Sequence, residues 1–479
     1  MYDARFSGVL LAVSSLPGPY GIGSLGAPAR RFVDFLAEAG QTYWQILPLV
    51  PPGHGNSPYM SPSAFAGNSF LIDLDELAAE GLLTQQELDS ARRDAPDRVD
   101  YAFLHETRMD LLEQAFRRSL TLMETAPEEH HLPWIGEYAQ FAALHDQYEG
   151  SPDQWPEDAK PDPDRVAFHT FLQDTFYRQW FHLKEYANQK HIRIMGDVPF
   201  YLSADSAEVY YHPELFQLDE HGRPSAVAGC PPDGFSATGQ LWGNPLYRWD
   251  YHAQTGYVWW ISRLRHCFTL YDVVRVDHFR GFDEYYAIPY GDKTAENGVW
   301  KKGPGIDLFH TVKKELGDVN IIAEDLGYLT ESVMKLVEDT GYPGMKVLQF
   351  AFDSREESNY LPHNYPHNCV VYTGTHDNNT VRGWLDDMCE EDNALAEDYM
   401  NNADTPKDER PWEFIRLALG SVADLAVIPL QDYLCLGTEA RINLPSTLGN
   451  NWKWRLVPGQ VTDEMLEKMC HLNKLFGRL

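Results

Sequence analysis

Cationic residues are scarce in this chain. The chain has 39 Lys and Arg residues and 71 Asp and Glu residues, which gives a net charge of -32. Because proteins bind nucleic acid largely by neutralising phosphates with Lys and Arg, we expect no nucleic-acid partner. The negative excess is typical of a soluble protein with an acidic surface, and such a surface would not repel a neutral ligand.

Cysteine is also scarce, and its spacing excludes two common uses. There is no C-x-x-C pair and no accompanying histidine cluster at zinc-site spacing. So few cysteines in 479 residues do not suggest a disulfide scaffold. We expect reduced, mostly buried thiols in a cytoplasmic protein. The six cysteines are Cys230, Cys267, Cys369, Cys389, Cys435 and Cys470.

Long apolar segments are absent. No run of about 18 apolar residues occurs, so the sequence predicts no membrane span and no membrane partner. The apolar stretch at residues 8–13 is too short for a secretory signal and follows no basic segment. We therefore expect the chain to stay in the cytoplasm.

Eight short apolar runs, each rich in β-branched or aromatic residues, stand out from the rest of the sequence. Near-continuous apolar character is typical of strands buried on both faces, although any single run could instead be a piece of buried helix. The runs occupy residues 8–13, 42–49, 191–199, 272–277, 320–324, 345–350, 369–375 and 425–430.

Helical patterns fill several gaps between these runs. After the first run, Pro28 suits a helix start and Gly40 suits its end. Between them, Phe32, Phe35 and Leu36 recur on one helix face. Alternating strands and helices predict a parallel sheet, and eight repeats predict a closed (β/α)8 TIM barrel with large, mainly helical insertions.

The uneven spacing of the runs indicates where the insertions lie. We interpret residues 1–479 as a single catalytic barrel. A helical subdomain is expected at about 50–190, because that stretch has helical periodicity and no apolar run that suits a strand beyond its first residues. A long loop that could cover a substrate is expected at about 204–249.

Charged residues occur where several of the predicted strands end. Asp197 lies near the end of the third run, Asp277 ends the fourth, Glu324 ends the fifth and Asp377 follows the seventh. Working residues of (β/α)8 barrels lie at these strand ends. A single Asp there could merely cap a loop or a helix, but several buried carboxylates without partners would be costly. Together they predict a functional site.

Glycoside cleavage requires a set of this kind. One carboxylate attacks the anomeric carbon, and a second carboxyl group first gives a proton to the leaving oxygen and later takes one from the acceptor. Crowding raises the pKa of at least one carboxyl group, which suits the acid. Alternation along a strand places Arg275 on the side of Asp277, where we expect the cation to keep the nucleophile ionised. A plain ion pair inside the barrel is the alternative.

These residues belong to motifs that resemble those of amylomaltases, a family of 4-α-glucanotransferases. The resemblance spans nearly the whole chain in the family's order. The motifs at the strand ends are VRVDHFRGF (274–282), AEDLG (323–327) and GTHDN (374–378). The others are SSLPGPYGIG (14–23), SPY (57–59), WGNPLY (242–247), PGMKVLQF (343–350) and NNWKWR (450–455).

The resemblance implies a role for each candidate residue. It implies that Asp277 is the nucleophile, Glu324 the general acid/base and Asp377 the stabiliser of the transition state. It further implies α-1,4-glucans and maltooligosaccharides as substrates. The implied sugar-binding residues are Tyr59, Asp197, Trp242, Asn244, Arg275, His278, Asp325, Phe350 and His376.

Two other functions would use a similar barrel. An α-amylase-type hydrolase would need the same three carboxylates. A barrel that only binds glucan or a protein partner would have no need of the full set. The resemblance favours transfer. It also favours a lid formed by residues 229–243, a stretch rich in Gly and Pro in which Phe235 and Trp242 could stack on sugar and displace water.

No cofactor or metal is implied. The strand-end carboxylates could be interpreted as a Mg²⁺ or Ca²⁺ site. The arginine two residues before Asp277 argues against a cation there.

Overall fold

The fold was described from a computed structural model that covers residues 4–93, 95–122, 133–232, 236–327 and 329–479. The strands in these ranges are β1 (Phe6–Leu10), β2 (Tyr43–Gln45), β3 (Arg193–Val198), β4 (Ala226–Cys230), β5 (Gln240–Pro245), β6 (Val273–Val276), β7 (Glu284–Pro289), β8 (Val299–Lys302), β9 (Ile321–Ala323), β10 (Gly344–Val347), β11 (Cys369–Tyr372) and β12 (Leu425–Pro429).

The α-helices in the same ranges lie mostly between these strands. In chain order they are α1 (Ala27–Glu38), α2 (Leu74–Ala79), α3 (Gln85–Ser90), α4 (Tyr101–Leu122), α5 (Pro133–Gln147), α6 (Pro163–Gln189), α7 (Ala207–Tyr211), α8 (Trp249–Gln254), α9 (Val258–Leu270), α10 (Ile306–Leu316), α11 (Glu331–Thr340), α12 (Val381–Asp387), α13 (Glu390–Met400), α14 (Arg410–Gly420), α15 (Leu430–Tyr433) and α16 (Asp463–Leu475).

Eight parallel strands form the barrel. Their order is β10-β11-β12-β1-β2-β3-β6-β9. The ring closes between β9 and β10, where the Ala323 N–H donates to the Pro343 carbonyl at 2.9 Å and the Met345 N–H donates to Asp325 Oδ1 at 2.7 Å. Each of the eight apolar runs overlaps one of these strands. The predicted (β/α)8 barrel is therefore confirmed.

Alternate residues of each barrel strand fill the interior, as the pleat requires. One layer is apolar, and two residues further along β2, β3 and β6 lie the buried polar side chains of Gln45, Asp197 and Arg275. The Tyr372 hydroxyl donates to Gln45 Oε1 at 2.8 Å. The apolar layer includes Leu10, Tyr43, Met195, Val273, Ile322, Met345, Val370 and Leu425. The carboxyl end of the barrel is therefore its polar end.

The first barrel helix follows the predicted pattern. Helix α1 has a proline in its first turn and buries Phe32, Val33 and Leu36 against the core. Gly40 lies just beyond the helix with φ +69°, a left-handed conformation that glycine adopts without a steric penalty. The placement of Pro28 and Gly40 thus matches their roles at the start and end of the helix.

Helices occupy most of the long stretch between β2 and β3. Helices α2 to α6 fall within the range 50–190. The 27-residue helix α6 also packs against α1, α9 and β3, so it serves as a barrel helix as well. That the range forms a distinct subdomain stays a prediction.

The sequence predicts one long loop at 204–249. This prediction is wrong, because β4 and β5 form an antiparallel pair within the range. Together with β7 and β8 they make a second sheet in the order β5-β4-β7-β8. Gly229, Gly243 and Pro245 lie within these strands. Glycine and proline weaken the strand signal, which explains why the sequence pattern suggested a loop.

None of the six cysteines, all of which lie among the described residues, forms a disulfide, but the prediction that most are buried is wrong. Only Cys267 and Cys369 are buried, Cys389 is exposed, and the other three are half-buried. Over the ranges that the structure describes, no helix combines the length and apolar character needed to cross a membrane.

Arg478, near the last residue of the chain, forms hydrogen bonds to the backbone of β1 and of the segment that leads into β12. It is fully buried, and its guanidinium donates to the carbonyls of Leu419 (2.7 Å), Phe6 (2.8 Å), Ser421 (3.1 Å) and Ala423 (2.9 Å). The carbonyl at Phe6 belongs to the first barrel strand. One side chain thus satisfies four backbone acceptors.

We expect Arg478→Met to lower the free energy of unfolding by about 3 kcal/mol, because buried carbonyls would lose a charged donor. Chemical denaturation measures the change. Lys474→Met is the matched control, since it removes one positive charge from an exposed position on α16. Equal unfolding midpoints for the two variants would show that the Arg478 network does not stabilise the fold.

Candidate active site

A buried ion pair forms the floor of the candidate site. In the parallel pairing of β3 and β6, Asp197 lies opposite Arg275. Arg275 Nη1 lies 2.6 Å from both Asp197 Oδ1 and Asp197 Oδ2. The two side chains are 2% and 0% exposed, so neither charge is solvated by bulk water. Each charge therefore depends on its protein partners.

Arg275 also reaches two further carboxylates. Its Nη1 lies 3.4 Å from Asp277 Oδ1, and its Nη2 donates to Glu324 Oε2 at 3.0 Å. Burial opposes the charged guanidinium, but the carboxylates of Asp197, Glu324 and Asp277 outweigh it and raise the pKa of Arg275. One cation thus contacts three carboxylates. As the alternation of side chains along a strand predicts, Arg275 and Asp277 lie on the same face of the sheet.

Asp277 and Glu324 directly follow neighbouring strands, β6 and β9. The backbone continues the ladder at both residues, because the Asp277 N–H donates to the Val198 carbonyl at 3.0 Å and the Glu324 N–H donates to the Val276 carbonyl at 3.2 Å. The His278 N–H donates to Glu324 Oε2 at 2.8 Å. The side chains of Asp277 and Glu324 are 24% and 17% exposed, so both carboxyl groups are partly accessible at the carboxyl end of the barrel.

The surroundings of Asp277 differ from the sequence-based expectation. Arg275 was expected to keep Asp277 ionised, but the guanidinium lies closer to Asp197 and Glu324 than to Asp277. Burial, followed by the charge of Glu324, raises the pKa of Asp277 well above its ordinary value, and Arg275 only partly offsets this. Crowding therefore acts on Asp277.

Asp377 lies in the loop after β11, where several groups hold it. The Asn443 Nδ2 amide donates to Asp377 Oδ1 at 2.7 Å, and Arg441 Nη2 donates to the Asp377 backbone carbonyl at 2.5 Å. His376 Nε2 lies 3.3 Å from Asp377 Oδ1. The Asp377 side chain is 43% exposed, which makes it the most accessible of the three predicted catalytic carboxylates.

Tyr59 connects the buried ion pair to the β11 loop. Its hydroxyl donates to Asp197 Oδ2 at 2.8 Å. Its ring stacks on His376, with centroids 5.0 Å apart and planes 12° apart. Trp452 packs against both rings, at centroid distances of 5.6 and 5.9 Å. The structure thus brings Tyr59, Asp197, Arg275 and His376 together beside the carboxylates.

A second aromatic contact lies on the other side of Asp277. The Trp242 ring meets His278 edge to face, with centroids 4.9 Å apart. Burial, followed by the charge of Arg280, lowers the pKa of His278 to about 3, so the imidazole is neutral at physiological pH. Trp242 is half-buried and lies in β5. An uncharged aromatic wall therefore stands next to the Asp277 strand end.

The other three predicted sugar-binding residues are engaged with protein groups. Asn244 Nδ2 donates to the Leu202 carbonyl at 2.7 Å, and Asp325 helps to close the barrel through its hydrogen bond from Met345. The Phe350 ring packs edge-on against Tyr360, with centroids 5.5 Å apart. These contacts fit a supporting role better than direct binding, and their roles in sugar binding stay predictions.

Asn443, Arg441 and Trp452 contact the site, yet sequence reasoning gave none of them a role. All three lie in the segment after β12, far along the chain from any strand end. Only Trp452 fell within a quoted motif, NNWKWR. The resemblance of that motif was the one signal that could have directed attention to this segment.

Among the residues that the structure describes, no group of three or more His, Cys, Asp or Glu side chains is arranged to hold a metal ion. The carboxylates of the site are instead organised around Arg275.

Comparisons with known proteins agree over the whole chain. A family model described as 4-alpha-glucanotransferase matches residues 11–460. The curated 4-alpha-glucanotransferase of Streptococcus pneumoniae serotype 4 is 45% identical over 497 residues, covering 99% of this chain and 98% of the relative. That of Thermus thermophilus is 46% identical over 487 residues, covering 96% of each chain. The structure of an amylomaltase from Streptococcus agalactiae in complex with acarbose matches with a TM-score of 0.95 and 40% identity over 99% of both chains.

Proposed function

The chain belongs to the 4-α-glucanotransferase family and is a retaining glycosyl-transfer enzyme, and we propose that Asp277, Glu324 and Asp377 carry out its chemistry on α-1,4-glucans and maltooligosaccharides. One observation carries the assignment. Two partly exposed carboxyl groups on adjacent strand ends share a single buried guanidinium, while the third carboxylate lies on the β11 loop. The similar amylomaltase was solved in complex with acarbose, which supports a ligand of the same kind for this chain.

The first half of the proposed reaction breaks the donor glucan. A carboxylate oxygen of Asp277 bonds to the anomeric carbon while the bond from that carbon to the leaving oxygen breaks. Glu324 gives its proton to that oxygen, which leaves as the hydroxyl of the shortened glucan. The segment that remains is held as an ester on Asp277, and Glu324 is left ionised.

The second half reverses these steps with a new sugar. The ionised Glu324 takes the proton from a hydroxyl of the acceptor glucan, and the acceptor oxygen bonds to the anomeric carbon as the ester to Asp277 breaks. Two inversions give net retention. Asp277 is ionised again, Glu324 is protonated again, and no cofactor is consumed.

The raised pKa of Asp277 bears on the form in which it attacks. In the free protein, burial and the charge of Glu324 raise the pKa of Asp277. Positive charge that develops at the anomeric carbon favours ionised Asp277, which is the form that acts as nucleophile. We assign Asp377 to stabilising the same positive charge, and Tyr59, Asp197, Arg275 and His376 to binding the sugar that is transferred.

The reaction products separate transfer from hydrolysis. Incubation with maltotriose should yield glucose together with a ladder of longer maltooligosaccharides, because a glucan acceptor takes the enzyme-bound segment. Chromatography of the products at several times measures the distribution. Glucose and maltose with no longer chains would instead support the α-amylase-type alternative.

We expect Trp242→Ala to lower transfer more than hydrolysis. Trp242 forms the half-buried wall beside His278, and stacking on an aromatic ring contributes only about 1 kcal/mol, so chemistry at Asp277 should continue. Phe235, the other aromatic residue of the proposed lid, lies outside the described residues. The measurement is the ratio of new reducing ends to free glucose from maltotriose at a fixed extent of reaction.

Each hydrolysis adds a reducing end and each transfer adds none, so this ratio should rise in Trp242→Ala. Trp300→Ala is a suitable control, because Trp300 lies on β8 of the same small sheet and stacks on Arg280. A ratio unchanged by Trp242→Ala, with total activity merely reduced, would limit Trp242 to donor binding or folding.

A further inference from the structure

The loop that carries Asp377 is held at both of its ends by one buried carboxylate. Asp432 lies in α15, which directly follows β12. Its Oδ2 accepts from the Thr373 hydroxyl at 2.6 Å, and its Oδ1 accepts from the Val381 N–H at 2.8 Å. Thr373 and Val381 bracket the loop that contains His376 and Asp377. The segment after β12 therefore fixes where this loop starts and ends.

The same segment also holds the middle of the loop. The Asn443 N–H donates to the His376 carbonyl at 3.1 Å, and Asn443 Nδ2 donates to Asp377 Oδ1 at 2.7 Å. Arg441 donates through Nη2 to the Asp377 carbonyl at 2.5 Å and through Nε to the Asn443 carbonyl at 2.7 Å. Backbone and side chain of Asp377 are thus held by two residues that follow Asp432 in the chain.

We propose that Asn443 is a positioning residue for the transfer reaction, acting through Asp377. Its amide commits one carboxylate oxygen of Asp377 to the protein and leaves the other oxygen free to face the sugar. The proposal rests on the assigned role of Asp377 as stabiliser of the transition state. It adds a residue on a segment that contributes no catalytic carboxylate.

The side-chain amide of Asn443 suits this positioning role, because it donates a hydrogen bond to Asp377 and carries no charge. A hydrogen bond to an ionised group is stronger than one between neutral groups, so it orients Asp377 firmly. An ionised carboxylate in place of the amide would set two like charges against each other at hydrogen-bond distance. A protonated carboxyl group could donate as the amide does.

Asn443→Asp tests this difference through a pH profile. The charged or titratable groups that face the position are Asp377, His376 and Arg441, with Tyr59 and Asp387 in the next layer. Near neutral pH the variant should lose about 100-fold or more in kcat for maltotriose. As the pH falls and the new carboxyl group protonates, its activity relative to the wild type should rise at least about tenfold.

Two further variants make the outcome decisive. Asn443→Ala should lose about 10- to 100-fold in kcat at all pH values, with KM changed less than kcat, because the lost bond acts in the transition state. It also tests the proposal if the aspartate variant does not fold. Asn450→Asp adds the same charge at an exposed position of the same segment and should follow the wild-type profile.

A flat ratio of Asn443→Asp to wild-type activity across pH, or an Asn443→Ala variant with more than half of the wild-type kcat, would overturn the proposal. Asp377→Asn, measured in parallel, separates this failure from a failure of the assigned function. If Asp377→Asn is inactive while the ratio is flat, only the role of Asn443 is wrong. If Asp377→Asn keeps wild-type activity, the role of Asp377 is wrong.

Discussion

Asp277→Asn is expected to lose glucan transfer by about 10⁴-fold or more while keeping the fold. An amide cannot form the ester to the anomeric carbon. The substitution preserves the size of the side chain, and the buried contact of Arg275 with Asp197 does not depend on it. The measurement is the rate of glucose release from maltotriose, together with the thermal unfolding curve of each protein.

Asp250→Asn is the matched control for this variant. Asp250 is an exposed carboxylate in the first turn of α8, so the same chemical change should leave the rate unaltered. A properly folded Asp277→Asn enzyme that keeps more than about a hundredth of wild-type activity would show that Asp277 is not the nucleophile.

Glu324→Gln is expected to separate the two halves of the reaction. With maltotriose the rate should fall by about 10²- to 10⁴-fold, because the leaving oxygen receives no proton. A maltosyl fluoride donor needs little protonation, so fluoride release in the first turnover should survive. The glutamine can still accept hydrogen bonds from His278 and Arg275, which preserves the geometry around Asp277.

The pH dependence of fluoride release gives the same variant a second readout. Glu324 is one cause of the raised pKa of Asp277, after burial. Removing its charge lowers the pKa of Asp277, so the nucleophile stays ionised to lower pH and the acid limb of the profile should move down. Glu331→Gln, an exposed change in the first turn of α11, is the control. Equal losses with maltotriose and with the fluoride donor would contradict the acid/base role.

The barrel could be predicted from the sequence because its strands are buried on both faces. That burial forces apolar runs such as 272–277 and 425–430, and the short strands β6 and β12 lie inside them. The antiparallel sheet was missed because β4 and β5 contain Gly229 and Gly243, and β8 is exposed along its whole length. Glycine in a strand weakens the strand signal, and an exposed strand needs no apolar residues.

The candidate site, like the fold, could be predicted only in part. Asp277 and Glu324 directly follow strands, so strand prediction locates them along the chain and at one end of the barrel. Asn443 reaches Asp377 across 66 residues of sequence, and no local pattern encodes such a contact. Crowding predicted a raised pKa for one carboxyl group, but not that it would be Asp277, because this depends on the burial of Asp277 and on the charge of Glu324 beside it.

The location of the trapped sugar tests the central assignment most directly. Glu324→Gln enzyme would be mixed with maltosyl fluoride, digested with a protease at low pH and analysed by tandem mass spectrometry. A stalled second half-reaction should leave a glycosyl adduct on the peptide that contains Asp277, with fragment ions that place it on that residue. An adduct on Asp377, or on any other carboxylate, would contradict the assignment of Asp277 as the nucleophile.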